Sequence, residues 1–133
     1  MKIKLSAVLT CTTLILAACG GVSNVLPEKD LSTYPVKKVM ELGAQNYSYY
    51  AYDNAEYYYS EVIKIFTNDT PENMDQRAWA TYEIGFIKFV ESKYAQADKL
   101  FDEVLAMKVG AQAPLILAKQ MKQKIKEKTS VAP

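Results

Sequence analysis

The stretch 77–106 has a weaker copy 42 residues upstream. An internal repeat of this kind constrains a fold more than any single motif does, because each copy must bury its apolar face against the next. In this register Leu42 meets Ile84, Gly43 meets Gly85, Tyr47 meets Phe89 and Tyr52 meets Tyr94. Ala55 meets Ala97, Tyr59 meets Phe101, and Glu61-Val62 meets Glu103-Val104. The apolar residues of each copy recur at helical spacing, so each reads as two helices joined by a short turn. The spacing predicts helices over 36–51, 53–67, 71–92, 94–108 and 112–128. Asp53 or Asn54 suits the start of the second, as an N-cap. Thr70-Pro71-Glu72 has the cap, first-position Pro and acidic first turn that open the third. Gly110 suits a left-handed stop after the fourth.

The paired motifs Leu42-Gly43 with Ala55-x-x-x-Tyr59, and Ile84-Gly85 with Ala97-x-x-x-Phe101, each have Gly and Ala twelve residues apart. This resembles the tetratricopeptide repeat, which has a Leu-Gly pair in its first helix and Ala, three residues and an aromatic in its second. The likeness covers residues 36–109 and is closer in the second copy. The period of 42 is longer than the usual 34 or so, and the extra residues fall near 68–75, where they lengthen the third helix at its start. The family's Trp is Val39 and Thr81 here, and its Tyr is Asn46 and Lys88. The resemblance implies an all-α fold: two helical hairpins and a C-terminal capping helix, forming a fragment of a right-handed α-solenoid. In the last helix, Leu115, Ala118, Met121 or Lys122, and Ile125 form the inner stripe, and five lysines face outward, as a terminal cap requires.

The first residues have a different character. Lys2 and Lys4 precede an uncharged, mostly apolar run from 5 to 18, too short to span a bilayer comfortably and typical of a secretory signal. It ends in Leu16-Ala17-Ala18-Cys19. This resembles the lipobox of bacterial lipoproteins. The resemblance implies a signal peptide at 1–18, cleavage before Cys19, a diacylglyceryl group on the Cys19 thiol and a possible acyl chain on its amine. The family's inner-membrane retention signal is Asp after the Cys; Gly20 stands there. That points to the outer membrane, facing the periplasm, or to the outer face of a single membrane. Residues 19–35, with Gly20, Gly21, Pro27 and Pro35 and no apolar period, read as a flexible tether. Residues 36–128 read as the helical domain and 129–133 as a tail.

Charge and chemistry narrow the function. Without the two leader lysines, 14 basic residues face 15 acidic ones, a balance that argues against nucleic acid. There is no His, the expected cleavage removes Cys11 and acylation occupies Cys19, so the commonest general base and metal ligand and any free thiol are missing. No catalytic site, metal or cofactor is expected beyond the acyl chains on Cys19. Residues 119–128 carry five Lys against Glu127, while 20–118 hold 9 basic and 14 acidic residues; this basic end is a solvated face or a contact for anionic lipid.

By the same resemblance, the first helix of each repeat lines a concave face. That face presents Trp79, Tyr82, Phe86 and Phe89 in the second copy, and Met40 and Tyr47 in the first, beside Lys37 and Ala44. These residues serve either to bind a partner or to fill the core of a short array, and the spacing allows both. The expected function is a lipid-anchored interaction module of the cell envelope that docks another envelope protein. The alternative is a carrier for an apolar ligand or peptide in the same groove.

Overall fold

The computed structural model describes residues 21–130. Cys19, the lipobox-like Leu16-Ala17-Ala18-Cys19 and the signal peptide expected at 1–18 lie outside the described residues. The described chain is all-helical: α1 (Glu28–Leu31), α2 (Val36–Ser48), α3 (Tyr52–Ile65), α4 (Pro71–Val90), α5 (Tyr94–Ala106) and α6 (Gln112–Ser130). Each helix from α2 onward packs on its neighbour in sequence, and α4 also touches α2 and α6. The first helices of successive units thus lie side by side, with α4 in the middle.

The two hairpins share their Gly–aromatic contact and their turn. Gly43 faces the ring of Tyr59 so closely that an added Cβ would stand 2.6 Å from it; Gly85 meets Phe101 the same way at 2.8 Å. Ala55, Tyr59, Ala97 and Phe101 are all buried. The turns match as well. Tyr50 and Ser92 take left-handed φ of 59° and 61°. Around them, Ala51 N donates to Asn46 O at 3.0 Å and Lys93 N to Lys88 O at 2.8 Å, while Tyr50 N and Ser92 N donate to Tyr47 O and Phe89 O. This is the Schellman pattern, built twice without Gly. It ends α2 and α4 at Ser48 and Val90, two or three residues short of the expected ends.

Helix α4 is the common wall of two cores. Ala80, Ile84 and Ile87 join Leu31, Val36, Val39, Tyr58, Tyr59 and Val62 on one side. Tyr82 joins Phe101, Val104, Ala118, Met121 and Ile125 on the other. Its early start is set as the sequence suggests: Thr70 Oγ1 accepts from Asn73 N at 3.2 Å, with Pro71 at the first helical position. The helix begins seven residues before the counterpart of Val36. Asp75 in that extension accepts a hydrogen bond from Ala111 N at 3.0 Å, just before α6 begins.

Four expectations are corrected. Residues 19–35 were expected as a flexible tether, yet from Ser23 onward the segment is packed against α3. Leu31 is fully buried and Val25 and Leu26 lean on the same core. Tyr58 Oη accepts from Leu26 N at 3.1 Å and Tyr57 Oη donates to Leu26 O at 2.9 Å. Asn54 does not cap α3, whose N-cap is Ala51; it clamps Ser23 instead, donating to its O at 2.8 Å and accepting from its N at 3.0 Å. Gly110 has no left-handed conformation, because α5 has already ended at Ala106 with Met107 extended. Finally, Thr129 and Ser130 belong to α6, their hydroxyls donating to Ile125 O and Glu127 O.

Candidate functional site

Side by side, α2 and α4 enclose a shallow open groove of about 440 Å³. Lys37, Met40, Glu41 and Ala44 line it from α2, Gln76, Trp79 and Glu83 from α4, and Tyr59 from α3. The spacings of three, four and seven residues put each set on one helix face. The long start of α4 contributes Gln76, and Trp79 lines the same groove as Met40 and Lys37.

The six expected partner-binding residues divide into three groups. Trp79 and Met40 line the groove and are half-buried. Tyr82 is 8 % exposed and packs on Phe101 at 5.6 Å between ring centres, so it belongs to the core. Burial pushes its phenol up to about 12. Tyr47, Phe86 and Phe89 are half-buried but leave the groove. They continue a run of rings from Trp79 through Tyr82, Phe86 and Phe89 to Tyr94, with centre separations of 5.5 to 6.4 Å. Tyr47 meets Phe86 at 6.1 Å. The stripe is therefore one surface with two uses, open at Trp79 and closed at Tyr82.

The residues that the aromatic pattern did not single out are Glu83, Glu41, Gln76 and Tyr59. Glu83 stands four positions after Trp79, so the spacing does put both on one face; what one sequence does not show is that no cation reaches it. Among the described residues, no Lys or Arg forms an ion pair with Glu83. Burial holds its carboxyl above the usual range. Its charge in turn raises the phenols of Tyr47, Tyr59 and Tyr82, on top of the larger effect of their own burial.

The basic end is less free than the sequence suggests. Lys122 bonds Asp98 at 2.6 Å and Asp102 at 2.9 Å, two carboxylates whose hydrogen bonds outweigh the burial that would lower its pKa. Lys119, Lys124, Lys126 and Lys128 remain exposed. The outer face of α6 is not purely polar: Ile116 is 55 % exposed, and with Leu105 of α5, 39 % exposed, it stands beside Lys119 and Lys126.

Among the described residues there is no cluster of His, Cys, Asp and Glu fit for a metal ion, and no helix is long and apolar enough to cross a membrane. Compared with known proteins, the chain matches no family model, no curated protein and no solved structure.

Proposed function

We propose that this protein is a lipoprotein of the bacterial envelope, anchored through Cys19, whose tetratricopeptide-like hairpins dock another envelope protein along the groove between α2 and α4. The observation that carries the reading is the groove itself. It is lined by the first helix of both hairpins, it is largely apolar, and it holds a half-buried Trp. Trp and Tyr are the usual anchors of protein interfaces, and a half-buried Trp gains contact area when a partner closes over it. The matched Gly43–Tyr59 and Gly85–Phe101 contacts support the repeat reading. So does the row of first helices, α2, α4 and α6. The lipobox-like Leu16-Ala17-Ala18-Cys19 supports the anchor. The shallow, open groove suits a protein segment better than a carried ligand, which is usually enclosed over most of its surface.

Crosslinking in living cells followed by partner identification tests the docking. A specific envelope protein is expected, lost in Trp79→Ala and Met40→Ala proteins that still fold. Retention of that partner by both variants at unchanged yield would place the docking surface elsewhere. The anchor is tested apart from this: Cys19→Ala is expected to release the protein from the membrane fraction, and unchanged fractionation would remove the lipid from the proposal.

A further inference from the structure

Taking this groove as the docking surface, we infer that it selects a cationic side chain, an arginine or lysine carried within an apolar segment of the partner protein, with Glu83 as its counter-ion and the half-buried Trp79 as its wall. Three features point there. The carboxylate of Glu83 opens into the groove with its charge unmatched among the described residues. The groove's own lysine and two cations of α4 are committed elsewhere: Lys37 to Glu72 at 3.2 Å, Lys88 to Glu56, and Arg77 to Asp69 and Phe66 O, both at 2.9 Å. Of the other half-buried acids, Glu56, Glu91 and Asp98 each have a lysine, Asp75 accepts from Ala111 N, and Asp53 sits in the first turn of α3, where the helix dipole favours a carboxylate. A half-buried carboxylate without a partner is costly, so its place here asks for a charge supplied from outside.

The wall agrees with the charge. The face of a Trp ring attracts a guanidinium or ammonium group, most of all one that has left water. Glu41 at the rim adds a second negative group, held at the surface by Lys38 at 3.1 Å. An arginine or lysine would thus meet a carboxylate, the Trp79 ring and the apolar Met40 together. An acidic segment would face Glu83 and Glu41, and the groove's one lysine, Lys37, is already paired with Glu72.

Trp79 is the only Trp in the chain, so its emission reports the groove alone. A random dodecapeptide phage library is panned on the full-length protein, and the enriched peptides are synthesised and titrated against Trp79 fluorescence. The expected peptides carry Arg or Lys among apolar residues. They lose about tenfold or more in affinity on Glu83→Gln, the range for losing a charge-assisted hydrogen bond, and far less on the rim variant Glu41→Gln. Circular dichroism confirms that Glu83→Gln keeps its helices. Groove-binding peptides without a cation, or cationic ones that bind Glu83→Gln as well as the parent, overturn the cation selection and leave docking intact. Equal losses in Glu83→Gln and Glu41→Gln overturn the role of Glu83 as counter-ion. Enriched peptides that leave Trp79 emission unmoved and bind Trp79→Ala unchanged overturn the docking groove as well.

Discussion

At the scale of single residues, Glu83 and the two buried glycines matter most. The folded chain holds the Glu83 proton more tightly than the unfolded chain, because burial raises its pKa. Ionising it therefore costs stability as pH rises through the raised value, and that cost is absent below about pH 4, where both states keep the proton. Glu83→Gln is expected to melt higher than the parent at pH 7, with the gap closing as the pH falls below 4; calorimetry at both pH values checks it. Gly85→Ala is expected to lose stability despite the better helix propensity of Ala, worth about 1 kcal/mol. The new methyl would stand 2.8 Å from the buried Phe101 ring and 3.3 Å from Leu100 Cβ, and overpacking of that kind costs roughly 1–3 kcal/mol. Gly43→Ala meets Tyr59 in the same way. Urea denaturation of both variants measures the balance. These glycines were legible in the sequence, since Gly and an aromatic at matching places in two copies imply a close crossing. The isolation of Glu83 was not, because it depends on where Lys37, Arg77 and Lys88 send their side chains.

At the scale of elements, the sequence revealed the long helices and missed the small one. Periodicity needs several turns to register, and α1 has only 4 residues. Its one buried side chain, Leu31, has no period to belong to. The partners that hold the segment, Tyr57, Tyr58 and Asn54, are 31 to 36 residues away from it or nearly so in sequence, as the Lys64–Glu28 pair also is. Such long-range bonds leave no local mark. Tyr57 and Tyr58 both bond the passing backbone at Leu26, Tyr58 from within the core. Leu31→Ala is expected to cost about 2–5 kcal/mol, as a buried Leu does when it leaves a cavity. The Leu26 amide is expected to exchange slowly with solvent in the parent and fast in Tyr58→Phe, because Tyr58 Oη is its acceptor. Hydrogen exchange read by mass spectrometry separates this from a loose tether, in which neither variant would change anything.

At the scale of the whole molecule, α4 joins the two cores back to back, so neither half has a wall of its own. Loss of packing on one side is expected to destabilise the other. Helix content by circular dichroism and Trp79 emission should then fall at one urea concentration, in the parent and in Phe101→Ala alike, as two-state unfolding requires. Separate midpoints would mean that the hairpins melt one at a time, as longer repeat arrays can. The all-helical order was readable from the 42-residue offset, which placed α4 centrally. The division of its aromatics between groove and core was not, because Trp79 and Tyr82 are three residues apart and only the positions of α2 and α5 separate them.

The clamp on Ser23 has a mechanical consequence. With Cys19 acylated as proposed, four residue steps join the lipid to the first backbone held by Asn54, a span of at most about 14 Å when fully stretched. A fifteen-residue tether would let the domain sweep the space above the bilayer like a boat on a long mooring. This one limits the height: the exposed Tyr50 of the α2–α3 turn lies beside Ser23, and a partner must come to within a domain's width of the membrane to reach the groove.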